Sequence, residues 1–382
     1  MQSKGVVYYK GLNGIRAIAA LGVLFSHIGL ALKELTGENK FWLYDVGGYG
    51  VTIFFALSGF LITSLLIIEK EQTGTISIKQ FYVRRILRIW PIYYLYILLV
   101  VICGYLFLNA YYFEPKFLYY LFFAANVPYF GHFDTLRGLG HLWSIGVEEQ
   151  FYLFWPWLFV FSKNIKKTIV VTVSFLVFIR VVAYLILKIG PSGSFNFYAV
   201  LHTTRFDCMG IGALGALILH YKKERLLKLL TSTFMQWTTI FVFIAIIFGK
   251  FRFSLLLEQL AAAVIGLSLI LSNVTLAKPL LDLENRFCNY IGRISYGIYV
   301  YHILIILLCR KLLEKLGVPL VPSCILLVVC VPIITIFIAN LSYKYFEAPF
   351  LKLKRHFTKV NTTNNAVLAT PSSTIISQSR AT

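Results

Sequence analysis

Charged residues are scarce in this sequence, and their scarcity excludes a water-soluble fold. Only 14% of the 382 residues are charged, whereas a soluble domain carries about 25% to cover its surface. The hydrophobic fraction is 58%, and the apolar residues fall in runs of about 20, the length at which a helix crosses a bilayer. The composition therefore predicts an all-α, polytopic transmembrane helical bundle.

Metal, disulfide and serine-hydrolase motifs are also missing. The six cysteines are scattered and show no CxxC or Cys/His spacing, so we expect neither a disulfide framework nor a metal site. No GxSxG elbow is present, so the sequence favours a helix-packing role for Ser58 over the role of a nucleophile. No internal repeat is visible, which disfavours transporter folds built from duplicated halves.

Acidic residues are outnumbered, because 36 Lys and Arg stand against 16 Asp and Glu, a net charge of +20. Such an excess could indicate a nucleic-acid binder. The cations, however, lie mostly in short gaps between apolar runs, a placement typical of the cytoplasmic loops of a membrane protein. We therefore expect membrane lipids, and no nucleic acid, among the partners.

The apolar runs predict about ten membrane spans and one shorter helix. The shorter run, 117–130, cannot cross a bilayer and predicts a re-entrant or interfacial helix. The ten predicted spans lie near 12–32, 46–69, 89–109, 142–162, 167–188, 205–221, 233–249, 254–272, 294–313 and 321–344.

Clusters of Lys and Arg orient this predicted bundle. They follow the second, fourth, sixth and tenth runs, and all four share one side if the N-terminus is cytoplasmic. An even number of spans then predicts that both termini are cytoplasmic. Residues 1–350 would form the membrane domain, and residues 351–382, first basic and then rich in Ser, Thr and Asn, would form a disordered cytoplasmic tail.

Arg16 and His27 are two ionisable residues in the first predicted span. Eleven residues are about three helical turns, so both side chains lie within roughly 20° of one face and about 16 Å apart along the axis. One face would therefore carry an anion-binding group at its cytoplasmic mouth and a titratable base further in. The alternative is an arginine that reaches lipid phosphate and a histidine satisfied within the core.

Arg84, Arg85 and Arg88 form a cationic cluster before the third span. If this segment is helical, the spacing places like charges on a shared face, which is unfavourable without an anion between them. A phosphate-bearing ligand would supply that anion. The alternative is a topology signal that also binds lipid headgroups.

Further polar residues lie at membrane depth, where such groups usually face a cavity or a partner. Glu148 and the adjacent Glu149 cannot share one helix face, so one should point inward and the other toward a neighbouring helix. Arg205 and Asp207 are expected to form structural ion pairs with other helices. The remaining candidates could serve either packing or a site: Ser58, His141, Ser295, Tyr296, His302 and Glu347.

Together these segments resemble the membrane-bound acyltransferase family 3, the polysaccharide and lipid O-acyltransferases. The segment GLNGIRAIAALGVLFSH (11–27) is similar to the first-helix motif of that family, an Arg, ten residues and a His. Later motifs of the family are matched, in order, by FFALSGFLI, RRILRIWPIYY, HLWSIGVEEQFYLFWP, RFDCMGIG, ISYGIYVYH and FEAPF. The resemblance covers about residues 8–350. It departs at Asn13, where the family usually has Asp, so an acidic partner for Arg16 is missing there.

The resemblance implies an O-acetyltransferase in a bacterial inner membrane. Acyl-CoA, by default acetyl-CoA, would enter from the cytoplasm as a co-substrate, and no permanently bound cofactor is implied. A hydroxyl of a carbohydrate or lipid-linked glycan would be the acceptor, with His27 as general base. The donor polyphosphate would bind the cationic residues Arg16, Arg84, Arg85 and Arg88.

Two points stay open at the level of the sequence. Glu148 and Glu347 are further candidates for orienting a cation or the substrate, and His27 could itself carry the acyl group. Charged residues inside a bundle also mark the substrate path of a transporter or flippase, or the ligand site of a sensor without turnover.

Overall fold

The computed structural model describes residues 8–37, 46–130, 134–189, 195–252, 254 and 257–357. Within these ranges the regular structure is helical throughout. The helices are α1 (Leu12–Thr36), α2 (Val46–Thr73), α3 (Ile78–Phe107), α4 (Phe117–Leu121), α5 (Val127–Phe130), α6 (Trp143–Phe161), α7 (Ile165–Ile189), α8 (Phe195–Thr204), α9 (Phe206–His220), α10 (Glu224–Leu230), α11 (Thr233–Ile247), α12 (Leu257–Thr275), α13 (Arg286–Lys315), α14 (Leu320–Leu341) and α15 (Ala348–His356). A short 3₁₀ turn, Gly140–Leu142, precedes α6, and a π-helical turn, Ser342–Glu347, joins α14 to α15.

Each of the ten predicted spans overlaps a helix, so the predicted all-helical class is confirmed for the described residues. Seven helices there are long and apolar enough to cross a membrane, or eight if α10 and α11, bent by 41°, count as one span. The helix α9 has only 15 residues, and α6 contains two adjacent glutamates, Glu148 and Glu149, that lower its hydropathy. The count of ten spans and the cytoplasmic placement of both termini stay predictions.

The helices divide into a buried centre and an apolar periphery. In the most apolar stretches of α2 and α13, 72% of residues are buried, against 22% in α7. On the outer helices, large apolar side chains such as Phe175, Phe178 and Phe337 are exposed. A soluble monomer rarely exposes wide apolar surfaces, whereas a lipid-facing helix does so at no cost. The helices α1, α2 and α13 therefore form the buried centre of the bundle.

Glycines bring the central helices close together. A Cβ added to Gly292 of α13 would lie 2.0 Å from the carbonyl oxygen of Asn13 on α1. A Cβ added to Gly212 of α9 would lie 1.9 Å from the carbonyl oxygen of Ala56 on α2. At both positions only a glycine lets the two helix backbones come this close. The crossing at Gly292 sets α1 against α13 along the faces that carry the ionisable residues.

Several segments differ from the predicted boundaries. The helix α3 begins at Ile78, eleven residues before the predicted span 89–109, because the Ser77 side chain accepts the Gln80 N–H as an N-cap. The arginine cluster is therefore helical. The run 117–130 forms α4 and α5, too short to cross a bilayer, as predicted. The helix α8 was not predicted, and residues 358–382 of the predicted tail lie outside the described residues.

Candidate active site

A cavity of about 190 Å³ lies among α1, α2, α3, α6, α13 and α15, and its lining combines apolar side chains with charged ones. Four cations line it: Arg16 from α1, Arg85 and Arg88 from α3, and Lys354 from α15. Glu148 from α6 is the one acidic side chain among the described residues that line it. Because positive charge exceeds negative charge within a low-dielectric wall, the cavity attracts anions, and phosphate oxygens in particular suit guanidinium groups.

Two of the cavity arginines, Arg16 and Arg85, contact neutral groups. Arg16 donates from Nη1 to Asn13 Oδ1 at 3.2 Å. The Arg85 guanidinium lies 5.8 Å from the centre of the Phe81 ring and 5.3 Å from that of Tyr152, within cation–π range. Neutral partners orient these cations without neutralising them, so their charge remains available to a ligand.

Arg84, the fourth predicted donor-binding residue, does not line the cavity. It forms an ion pair with Glu69 at 3.0 Å and donates to the Phe357 carbonyl at 2.9 Å. Lys354 takes a place in the lining that the sequence did not indicate. Its position follows from α15 packing against α3, and the sequence pattern had placed it only among the cations of a tail.

Glu148 and Glu149 point to different neighbours, as their adjacency predicted. Glu148 faces the cavity, where the hydroxyls of Ser58 and Tyr152 both donate to its Oε1. Glu149 accepts from Trp90 Nε1 at 3.1 Å on α3. Ser58 therefore lies in the polar lining of the cavity, as a donor to a carboxylate.

Two further candidates, Ser295 and Tyr296, line the cavity from α13. Ser295 Oγ donates to the Gly292 carbonyl at 2.8 Å, and Tyr296 OH donates to the Ile89 carbonyl at 3.1 Å. Both hydroxyl protons are thus used by backbone oxygens. The remaining lone pairs of these hydroxyls can accept hydrogen bonds from a ligand.

Three histidines from distant parts of the chain meet next to the cavity: His27 on α1, His302 on α13 and His141 in the turn before α6. His27 Nδ1 lies 3.1 Å from His302 Nε2 and 3.0 Å from the Val23 carbonyl oxygen. His141 packs against His302 with ring centroids 5.1 Å apart. His141 Nε2 lies 3.1 Å from the Val300 carbonyl oxygen. The described residues hold no group of His, Cys, Asp and Glu side chains arranged to bind a metal ion.

Tyr299 stands between the cavity and the histidine cluster formed by His27, His141 and His302. Its side chain lines the cavity, and its ring centroid lies 5.7 Å from that of His141 and 5.8 Å from that of His302. Its hydroxyl donates to the His141 carbonyl at 2.9 Å and accepts from Ser144 at 2.5 Å. His27 itself does not line the cavity. The cavity and the histidine cluster are therefore two neighbouring regions beside α1 and α13, with the Tyr299 ring between them.

Arg205 and Asp207 lie away from the cavity. Arg205 donates to the Gly48 carbonyl at 2.8 Å and to Thr52 Oγ1 at 3.0 Å. Asp207 forms a fully buried ion pair with Arg180 at 2.5 Å, which ties α9 to α7. These contacts tie neighbouring elements together. Arg180 was not singled out from the sequence, although an arginine inside an apolar run is itself a signal of a buried partner.

Glu347 is buried in the π-helical turn, where Ser342 Oγ lies 3.3 Å from its Oε1. Tyr301 OH in turn contacts Ser342 Oγ at 3.0 Å. Glu347 does not line the cavity. The contacts link the turn to α13, and Glu347 lies close enough to Arg88 in the cavity lining to interact with it electrostatically.

A hydrogen-bond network around Glu284, which lies in the loop before α13, supports the start of α1. Asn289 Nδ2 donates to Glu284 at 2.8 Å, and Asn289 Oδ1 accepts from Asn13, the partner of Arg16. Partial burial raises the pKa of Glu284, but its hydrogen bonds and nearby Lys10 outweigh burial and lower that pKa below its usual value. The donors that converge on Glu284 are Tyr8 OH, the Gly11 N–H and Asn289 Nδ2.

Comparison with known proteins places these features in a family. Residues 9–339 match the model of a family described as "Acyltransferase domain". The chain is 30% identical over 374 residues to a peptidoglycan O-acetyltransferase of Listeria monocytogenes, covering 90% of this chain and 56% of that protein. It is 30% identical over 372 residues to a putative peptidoglycan O-acetyltransferase of Bacillus subtilis, covering 90% and 55%.

A putative O-acetyltransferase of Staphylococcus aureus is 28% identical over 379 residues, covering 91% of this chain and 58% of that protein. The chain thus spans a little over half the length of the curated relatives it matches. No solved structure matches it. The match to the family model runs over nearly the whole described chain and includes Arg16, the arginine cluster and all three clustered histidines. The chain therefore belongs to the acyltransferase 3 family, as the ordered motifs predicted.

Proposed function

We propose that this chain is a membrane O-acetyltransferase that moves an acetyl group from acetyl-CoA to a hydroxyl of a carbohydrate. One observation carries the proposal: an anion-attracting cavity and a histidine cluster lie side by side on the same two helices, α1 and α13. An acyltransferase that uses CoA needs both a polyphosphate site and a base for the acceptor hydroxyl.

The donor would bind through its phosphates in the cationic cavity. Arg16, Arg85 and Arg88 offer forked N–H donors that match phosphate oxygens, and Lys354 adds a fourth positive charge. The rise along α1 from Arg16 to His27 is about 16 Å. The long, thin pantetheine arm would follow this helix face, and the thioester would approach His27 past Tyr299.

His27 would act as the general base through Nε2. The Val23 carbonyl can only accept a hydrogen bond, so the nitrogen 3.0 Å from it, Nδ1, carries the ring proton. Nε2 is then the basic lone pair. It takes the proton of the acceptor hydroxyl as the hydroxyl oxygen attacks the thioester carbonyl. The tetrahedral intermediate collapses to the ester, and the departing CoA sulfur takes the proton back from Nε2.

The acceptor class is proposed from the relatives. Two of them are named for peptidoglycan, one as a putative enzyme, which supports a glycan hydroxyl as the acceptor here. The apolar periphery and the bacterial source of these relatives support a plasma-membrane location. With glycan outside and acetyl-CoA inside, the bundle itself would carry the acetyl group between the two sides.

Acetyl transfer by purified protein tests the proposal. The full chain in liposomes is given labelled acetyl-CoA and a glycan acceptor, and the wild type is compared with His27→Ala. The matched control is His220→Ala, which removes a partly exposed histidine paired with Glu71 far from the cluster. We expect loss of a general base to lower kcat by about 10²- to 10⁴-fold, while the control stays at the wild-type rate.

Two outcomes would overturn the proposal. Acetyl transfer that survives in His27→Ala would remove the base from the mechanism. A folded wild type that neither binds nor consumes acetyl-CoA, but moves the glycan across the bilayer, would make the chain a transporter.

A further inference from the structure

His302 and His141 take no part in the proposed reaction, yet both are packed around its base. His302 is fully buried, and His141 is only 6% exposed. The His302 ring centroid lies 4.9 Å from that of His27 and 5.1 Å from that of His141, so His302 stands between the other two. The positions of two backbone carbonyls fix where each of the three rings carries its proton.

The His27 ring carries its proton on Nδ1, which donates to the Val23 carbonyl. His302 Nε2 lies 3.1 Å from that same Nδ1, so it faces an N–H and must present a lone pair. A neutral imidazole carries one ring proton, and His302 therefore holds its proton on Nδ1.

The ring proton of His302 has backbone partners within its own helix, since its ring is hydrogen-bonded to the Tyr299 and Ile298 backbone. His141 Nε2 lies 3.1 Å from the Val300 carbonyl, which accepts only, so Nε2 carries the proton and Nδ1 is a lone pair. Each of the three rings therefore has a backbone carbonyl that accepts its proton.

We propose that His302 is a positioning residue for His27 and that His141 holds His302 in place by packing against its ring. His302 Nε2 accepts the Nδ1–H of His27 beside the Val23 carbonyl, and the His141 ring lies against that of His302. This chain of rings keeps the Nε2 lone pair of His27 free for the acceptor hydroxyl. It also gives the Nδ1–H of the imidazolium an acceptor once Nε2 is protonated. The proposal rests on the proposed role of His27 as the base.

Two substitutions of His302 separate positioning from packing. His302→Leu fills a similar volume but offers no acceptor, whereas the side-chain carbonyl of His302→Gln reaches the place of Nε2. We expect the Leu variant to lower kcat by about 10- to 100-fold. Removal of the carboxylate that orients the histidine of a catalytic triad lowers kcat by about 10⁴-fold. The loss should be smaller here, because the Val23 carbonyl still accepts the Nδ1–H of His27. The KM for acetyl-CoA should not change, since His302 does not line the cavity.

The Gln variant should retain most of the wild-type kcat. His141→Leu should lower kcat less than His302→Leu does, because His141 acts through His302. If the substitutions acted through folding or packing, both the Gln and the Leu variant would give less folded protein. The loss of kcat would then not depend on whether the new side chain can accept a hydrogen bond.

Nitrogen-15 NMR of protein labelled at the histidine ring nitrogens gives a readout that needs no activity. In the wild type we expect protons on Nδ1 of His27, Nδ1 of His302 and Nε2 of His141. In His302→Leu the Nδ1–H of His27 keeps the Val23 carbonyl but loses His302 as a second acceptor, so its nitrogen-15 shift should move while the proton stays on Nδ1. If His302→Leu does not fold, the wild-type spectrum and the Gln variant still decide the question.

The outcomes distinguish this inference from the proposed function. A proton on Nε2 of His27 in the wild type, or wild-type kcat in His302→Leu, overturns the positioning role even where His27→Ala abolishes transfer. The expected tautomers in a protein that does not transfer acetyl groups would support the ring chain and overturn the proposed function alone.

Discussion

The cationic cavity and the histidine cluster share two helices but differ in charge and in closure. Four cations face one carboxylate around a void of about 190 Å³, whereas the cluster consists of rings bonded to one another and to backbone carbonyls. An uncompensated charge is tolerated where water or an anionic ligand reaches it, and neutral imidazoles suit a closed site. Under the proposed function, one helix pair would thus separate donor binding from proton transfer.

The largest effect should come from a buried cation that lies in neither region. Arg180 is 1% exposed and pairs with Asp207. Asp207→Ala would leave its guanidinium buried without a counter-charge, and we expect the free energy of unfolding to fall by about 3–5 kcal/mol. Thermal unfolding in detergent measures the change, with Asp282→Ala, which removes an exposed carboxylate, as the control. Equal stability of the two variants would mean that buried cations in this bundle need no partner, and the cavity charges would lose their significance.

Arg88→Ala should weaken donor binding. Charge-assisted hydrogen bonds contribute about 1.5–3 kcal/mol, so the Kd for acetyl-CoA should rise by about 10- to 100-fold. Arg225→Ala is the matched control, since Arg225 is an exposed cation outside the cavity. Binding of labelled acetyl-CoA measures both variants. An Arg88 variant that binds as tightly as the wild type would remove the cavity as the donor site.

Tyr299→Phe tests the boundary between the two regions. The substitution removes the hydroxyl that contacts Ser144 and the His141 carbonyl, which should lower the free energy of unfolding by about 1–2 kcal/mol. We expect a fall in kcat with no change in the Kd for acetyl-CoA, because the hydroxyl orients the cluster side. The control is Tyr105→Phe, at a position that is 78% exposed. A changed Kd with an unchanged kcat would assign Tyr299 to the donor site instead.

The smallest effect concerns Glu284, whose network reaches Arg16 through Asn289 and Asn13. Its pKa is lowered in the folded protein, so its stabilising contribution is present above the ordinary carboxyl pKa of about 4.3. That contribution is lost as the pH falls through the lowered value. The unfolding midpoint of Glu284→Gln should therefore lie slightly below that of the wild type at pH 7, and the gap should close in acid. A gap that persists or widens in acid would contradict this assignment.

Local features of the site could be predicted from the sequence, because helical periodicity encodes them. The shared face of Arg16 and His27 and the divergence of Glu148 from Glu149 follow from 3.6 residues per turn. The family followed from the ordered motifs. The class of the fold followed from the lengths of the apolar runs.

Contacts between distant helices could not be predicted in the same way. His302 meets His27 across 275 residues, and Lys354 joins Arg16 in the cavity only because α15 packs beside α3. Periodicity determines which face of a helix is polar, but it does not encode which helix lies opposite that face. For the same reason the sequence could not show that Arg84 turns away toward Glu69.

The affinity of His27→Ala for acetyl-CoA is the most direct test of the separation between binding and chemistry. Equilibrium binding of labelled acetyl-CoA to the full-length variant would be measured beside the wild type and Arg88→Ala. We predict that His27→Ala binds with wild-type affinity while it fails to transfer the acetyl group. A loss of affinity as large as that of Arg88→Ala would show that His27 holds the donor, and it would contradict the division of the helix pair into a donor cavity and a proton-transfer cluster.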